Sequence, residues 1–309
     1  MARFLVLTGG VGGAKLALGL THVLAPDEAL FVVNTGDDFE HLGLNICPDI
    51  DTLTYTLAGL NNTELGWGRA GETWACLDTF DALGGEAWFR LGDQDLALHL
   101  YRTERLRAGA TLTEVTQEVG QRLGISHRFV PMTDDPVRTT VLTEQGALAF
   151  QHYFVRERCE PAVTGFEFRG AEQAALNPEI DAWLADGCDG VIVCPSNPYL
   201  SVDPVLAVPG MRALIAKLPA VAVSPIVAGL AIKGPTAKIM AELDLPATAA
   251  QVAQHYAGWL DHFIIDEADA ALAESLPVST VVAPTVMVTL QDRIDLAQVA
   301  VSTLTRAPK

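Results

Sequence analysis

"FLVLTGGVGGAKLALGL", residues 4–20, decides how the rest of the chain is read. Residues 4–7 are a short, unbroken apolar run, as a strand buried on both faces requires. After two glycine pairs, residues 14–25 place Leu16, Leu20, Val23 and Leu24 at helical spacing. "LFVVNTGDD" (residues 30–38) then supplies a second apolar strand ending in a polar, glycine-containing loop. A strand, glycine turn, helix and strand in this order predict an α/β fold of the doubly wound type with a mainly parallel sheet.

The turn matches neither common nucleotide fingerprint. Five positions on from Gly10 stands Lys15, and five on from Gly12 stands Ala17, where a dinucleotide motif needs glycine. Lys15 is preceded by Ala14 and followed by Leu16, so the phosphate loop of nucleoside triphosphatases fails as well. The physics outlives the patterns. Glycines let a backbone come close to a ligand, N–H groups at a helix start attract an anion, and Lys15 adds a point charge. In the competing reading, Gly12 and Gly13 only let strand and helix pack closely.

The same grammar returns later, in "GVIVCPSNP" (residues 190–198), "AVAVSPIVAG" (220–229), "HFIID" (262–266) and "STVVAPTVMV" (279–288). Helical stretches at 205–217, 236–243 and 249–260 separate these strands. The middle differs, with helices in "DQDLALHLYRTERLRAG" and "LTEVTQEVGQRLG" and polar-alternating strands in "TTVLTEQGALAFQHYFV" that should pair antiparallel. No low-complexity linker marks a boundary. The expectation is one domain, with a core at about 1–60 and 182–309 and a helical and β-hairpin insertion at about 61–181.

Thirty-eight acidic against 20 basic side chains give a formal net charge of -18, which argues against nucleic acid and anionic membranes as partners. The five cysteines lack C-x-x-C spacing and scaffold density, which points to reduced thiols and a cytoplasmic location. No stretch reaches the roughly 20 apolar residues of a membrane span. The N-terminal apolar run is too short for a signal sequence.

Carboxylates gather where the second strand ends. Asp37 and Asp38 close that strand. Asp49 follows Pro48 and reads either as a helix cap or as a site residue, and Asp51 falls in the first helical turn with its carboxylate free. Such charges beside a phosphate pocket repel it unless a hard divalent ion lies between, and oxygen ligands favour magnesium over zinc. Ser196 and Asn197 of "PSNP" and Ser224 of "SPI" stand at strand ends, able to bond a phosphate, a ribose or a base edge, or to satisfy only their own turns. In the insertion, Asp93 reads as a helix cap and Asp95 as a solvated first-turn acid. Trp67 and Trp88 read as core or as a stacking surface for a planar ligand. No G-x-S-x-G elbow, His/Cys pair or H-E-x-x-H helix is present, which leaves positioning plus a metal as the available chemistry.

Eight blocks in fixed order carry a resemblance: "TGGVGGAK", "VVNTGDD", "CPDIDTLTYTLAG", "WGRAGETW", "LGDQDLALHL", "PMTDDPV", "PSNPYLSVDPVLAVPGMR" and "SPIVAGLAIKGP". Through nearly its whole length the chain resembles the 2-phospho-L-lactate transferase (CofD) family of coenzyme F-420 biosynthesis. The resemblance implies a Rossmann-like core, a Mg2+ requirement and a homodimer. It implies transfer of a phospho-organic acid (2-phospho-L-lactate, phosphoenolpyruvate or phosphoglycerate) from a diphosphoguanosine donor to the ribityl hydroxyl of Fo, the 7,8-didemethyl-8-hydroxy-5-deazariboflavin, with release of GMP.

Carried onto this sequence, Asp49, Asp51, Asp93 and Gln94 would face Fo. Gly10, Gly12, Gly13, Lys15, Ser196, Asn197 and Ser224 would hold the donor. Mg2+ would sit on Asp37 or Asp38, with Asp269 of "DEADAA" as third ligand; Asp51 and Asp38 would serve catalysis, Asp51 by orienting or deprotonating the hydroxyl. Two departures stand out: Gln94 replaces a basic residue, and Cys47 replaces a serine. The competing expectation is a YvcK-like, non-catalytic regulator that binds a nucleotide or UDP-sugar and would have no need of the "CPDID", "WGRAGETW" and "LGDQD" blocks.

Overall fold

The computed structural model describes residues 2–232 and 234–306. Residue 233 of the "SPIVAGLAIKGP" block lies outside them. From β1 (Phe4–Thr8) the chain passes through α1 (Gly10–Val23) to β2 (Ala29–Val33), a small ribbon β3 (Phe39–His41) and β4 (Leu44–Ile46), and α2 (Pro48–Leu57). Then come α3 (Ala75–Ala82), α4 (Asp93–Arg107), α5 (Leu112–Arg122), β5 (Arg128–Pro131), β6 (Arg138–Thr143), β7 (Gly146–Ala149) and β8 (Val163–Arg169). The second half holds α6 (Pro178–Ala185), β9 (Gly190–Val193), α7 (Asp203–Ala207), α8 (Met211–Ile215), β10 (Ala220–Val223), the hairpin β11 (Ile226–Val227) and β12 (Leu230–Ala231), α9 (Thr236–Glu242) and α10 (Ala249–His255). It ends with β13 (His262–Ile265), β14 (Ser279–Val282) and α11 (Leu290–Arg306).

Seven strands form one parallel sheet in the order β14-β13-β10-β9-β1-β2-β5. The chain builds outward from β1 to β2 and β5, then returns to β9 on the other flank and builds outward again. This reversal leaves a crevice beyond the carboxyl ends of β1 and β9, the place where doubly wound sheets take ligands. The residues of β1, β2, β9 and β10 are all buried, as their unbroken apolar runs require. One apolar cluster lies on each face of the sheet. Strand β5, from within residues 61–181, completes one edge of this sheet. The expected antiparallel pair is β6 with β7, and a third strand, β8, joins it on the far side of β6.

The helices differ from expectation where glycine and proline act. Helix α1 begins at Gly10, four residues early, because the glycines themselves make its first turn. A Cβ on Gly12 would lie 2.7 Å from the Pro195 carbonyl oxygen, and one on Gly13 would lie 2.5 Å from Thr8 Oγ1 and 2.6 Å from Ser196 Oγ. Both are therefore packing glycines. The single helix expected at 205–217 is broken by Pro209 and by Gly210, whose φ of 90° ends any regular helix, leaving α7 and α8. Helix α10 stops at His255, five residues short of expectation. Sheet pairing of the 220–229 run ends at Val223, and the rest turns into the β11–β12 hairpin.

Candidate functional site

A cavity of about 680 Å³ opens at the carboxyl ends of β1 and β9. Its walls have two chemical characters. Gly10, Gly12, Lys15, Ser196, Asn197 and Ser224 line one part, and Trp67, Trp88, Phe89 and Phe154 line another. Asp37 reaches the same cavity, with Asp49, Asp51 and Tyr55 of α2.

At the α1 end, Gly10 has a φ of 66° and open space where a side chain would be. Its N–H donates to Asp49 Oδ1 at 2.8 Å, and the other oxygen of Asp49 accepts from Asn34 Nδ2 at 2.9 Å. A carboxylate from α2 thus already occupies the start of α1, where an arriving phosphate would seek the same donor. Gly13 faces Thr8 and Ser196 and does not line the cavity. Ser196 Oγ accepts from the Gly9 N–H at 3.1 Å and donates to the Gly9 carbonyl at 2.8 Å; Ser224 Oγ bonds the backbone of Ile226 in the same two ways. Ser196 thus ties the "PSNP" loop to the glycine turn, whereas Ser224 serves its own turn. Asn197 Oδ1 caps the N–H groups of Tyr199 and Leu200, while its Nδ2 is buried with no partner. Lys15 Nζ donates to the Met287 carbonyl at 3.0 Å from its place on the wall.

The carboxylates are buried against their electrostatic preference. Burial, with the charge of Asp49 second, pushes Asp37 well above the usual carboxylate range. Burial likewise raises Asp49 to about 6 and Asp38 to about 7. Asp38 does not line the cavity. Asp269 accepts the Ala228 N–H at 3.0 Å and is also off the cavity wall. Among the described residues no group of three His, Cys, Asp or Glu side chains is placed to hold a metal ion. Asp37 and Asp49 still suit magnesium, which is commonly held by one or two carboxylates together with substrate phosphates and water. They share the cavity, they repel one another, and Asp37 Oδ1 is buried without a hydrogen-bond partner.

Asp51 is not the free carboxylate expected from the sequence. Arg102 of α4 grips it from behind through both nitrogens of its fork: Nη2 meets Oδ1, and Nη1 lies 3.2 Å from Oδ2. Asp95, expected in solvent, accepts from the Tyr55 hydroxyl at 2.5 Å and stands 3.3 Å from His99 Nε2. These partners were legible in part. Asp95, His99 and Arg102 recur at i, i+4 and i+7, one face of a helix, and Asp51 and Tyr55 at i and i+4 make the matching face of α2.

Two reciprocal caps hold the rim. The Glu72 carboxylate accepts the Gln94 and Asp95 N–H groups at the start of α4, and Asp93 accepts those of Ala75 and Cys76 at the start of α3. Asp93 is a cap, but for α3. Its neighbour Gln94 donates to the Gly71 carbonyl at 2.7 Å, and neither residue lines the cavity. Trp88 packs among His41, Phe89 and His152 while showing one side to the cavity, and Trp67 on the wall is 49% exposed.

The family model described as 2-phospho-L-lactate transferase CofD matches residues 4–293. A phosphoenolpyruvate transferase of Streptomyces coelicolor is 40% identical, covering 99% of this chain and 98% of that protein. A 2-phospho-L-lactate transferase of Methanosarcina mazei is 34% identical, covering 96% and 99%. Among solved structures, a UPF0052-family protein of Bacillus halodurans aligns over 97% of this chain and 99% of its own, with a TM-score of 0.62 at 15% identity, a likeness of fold alone.

Proposed function

Because the chain belongs to the 2-phospho-L-lactate transferase CofD family, and so is a transferase of a phospho-organic group, we propose that it moves such a group from a diphosphoguanosine donor to the ribityl hydroxyl of Fo, releasing GMP. The observation that carries this reading is the shared cavity. One wall is a helix start with Lys15 and a buried amide, suited to a nucleotide's phosphates; another is aromatic, suited to a planar ring; α2 joins them through Asp49 and Asp51. The "WGRAGETW" and "LGDQD" blocks interlock through the Glu72 and Asp93 caps, and "CPDID" is tied by the Asp51–Arg102 pair to α4, the helix that "LGDQD" opens. A protein that only bound a nucleotide would not need that second wall.

Transfer of this kind asks for an in-line hydroxyl, neutralised phosphates and a leaving nucleotide, all served by positioning and electrostatics. Bound Mg2+ would be held by Asp37 and Asp49 and would offset the charge of the bridging phosphates. Lys15 adds its charge on the donor side. Asp51, held in its ion pair with Arg102, accepts a hydrogen bond from the Fo hydroxyl and aims it. Trp67 and Trp88 flank the deazaflavin ring. The protein acts in the cytoplasm as a homodimer. The enolpyruvyl donor is the first choice, because the Streptomyces coelicolor relative at 40% identity is named for phosphoenolpyruvate and the Methanosarcina mazei relative at 34% for 2-phospho-L-lactate.

The test is to incubate the pure protein with Mg2+, Fo and each of the enolpyruvyl, lactyl and glyceryl donors, and to follow F-420-0 species and GMP by mass spectrometry. Product should form fastest with the enolpyruvyl donor. No product from any of the three would overturn the reading.

A further inference from the structure

A chain of polar contacts runs along the cavity wall and is anchored behind it by Arg102. Arg102 is 3% exposed and does not line the cavity, whereas Asp51, its partner, does. The guanidinium meets both Asp51 oxygens, approaches His99 Nδ1 at 3.2 Å and donates to the Asn45 carbonyl at 3.3 Å. His99 Nε2 faces Asp95, Asp95 accepts from Tyr55, and Tyr55 lies one helical turn after Asp51 on α2. Two helices are thus joined face to face, with Asp51, Tyr55, Asp95 and His99 on the cavity wall and Arg102 behind it.

We propose that Arg102 is a positioning residue for the transfer reaction, acting only through Asp51. Its planar fork fixes the rotation of the carboxylate, and the contacts with His99 and the Asn45 carbonyl fix the fork. Each carboxylate oxygen has more than one lone pair, so Asp51 can still accept a hydrogen bond from the cavity while held from behind. A carboxylate so engaged is a directed acceptor. The Fo hydroxyl is therefore aimed by Asp51. This rests on the reading that Asp51 faces the acceptor.

A double-mutant cycle tests it. Arg102→Lys keeps the charge and removes the fork; the expected result is a folded protein, an unchanged donor KM and a kcat lower by about 10- to 100-fold, the scale on which lost alignment is felt. In an Asp51→Asn background the same Arg102→Lys change should alter kcat by no more than about twofold, because the group it aims has gone. Penalties that multiply, or an Arg102→Lys protein with wild-type kcat, would overturn the proposal. Should Arg102→Lys fail to fold, Arg102→Gln, which keeps a donor for Asp51 and stays behind the wall, replaces it in the cycle, and its kcat loss must likewise vanish beside Asp51→Asn. The cycle is also read on Fo binding by fluorescence, which needs no turnover. A wild type that transfers nothing but shows coupled Fo binding sinks the functional reading and supports Arg102; independent effects on binding sink Arg102.

Discussion

At the scale of single residues, the acids beside the cavity set the behaviour of the ligand-free protein. Asp38, raised to about 7, keeps its proton in the folded chain across a range where the unfolded chain has lost it. Folded protein then binds more protons than unfolded between about pH 4 and pH 7, so stability falls as pH rises through that window and levels off above it. Thermal melts without metal should show this slope, and Asp38→Asn should flatten it. Asp49→Asn keeps an acceptor for the Gly10 N–H, removes a charge facing Asp37 and sets an amide donor against Asn34 Nδ2. That variant should lose most of the stabilisation that added Mg2+ gives the wild type in thermal melts at pH 8. Lys15→Ala should weaken donor binding more than Fo binding in isothermal titration, since Lys15 shares its wall with the start of α1. Residue types alone identified these acids. Spacing could not show that Asp49 would reach back to Gly10, thirty-nine positions earlier, because that contact depends on how two helices cross.

Elements carry the next lesson, in the clasp between α3 and α4. Glu72 caps α4 and Asp93 caps α3, so each helix start depends on a residue outside its own turn. Glu72→Ala should cost about 1 kcal/mol in denaturant unfolding, the usual worth of a helix cap. It should also weaken Fo binding several-fold, because the residues just before the clasp, Leu65 to Gly68, are cavity wall. Where elements are periodic and apolar the sequence was easily read: β1, β2, β9, β10 and β13 all stand where their runs placed them. It is hard to read where one proline or glycine interrupts a pattern, as at Gly210, and in β8, where Gly165 shifts the alternation between Val163 and the Phe166 and Phe168 pair. The sequence marks Asp93 as the cap of the helix it begins, because the preference for acids at helix starts does not say which helix start.

For the whole molecule, the parallel order β14-β13-β10-β9-β1-β2-β5 explains why residues from both halves of the chain meet at one crevice. The doubly wound arrangement was visible in the alternation of strands and helices; the order was not, since β5 comes from a stretch that otherwise reads as insertion. One contact ties the two ends of the described chain together. Helix α11 lies so close to α1 that a Cβ on Gly19 would stand 2.0 Å from the backbone oxygen of Arg293. Gly19→Ala must push the two helices apart and should lower the melting temperature, at a cost at the upper end of the about 1 to 3 kcal/mol typical of overpacking. That contact also bears on synthesis. The helix that opens on the cavity is made before six of the seven sheet strands, and the helix packed on it is made after the last of them. Until α11 arrives, the strip of α1 that it covers stays open even though β1 and α2 already lie against other parts of the helix, so the nascent chain carries that uncovered strip, open to chaperones and to aggregation, through the synthesis of everything between the two helices.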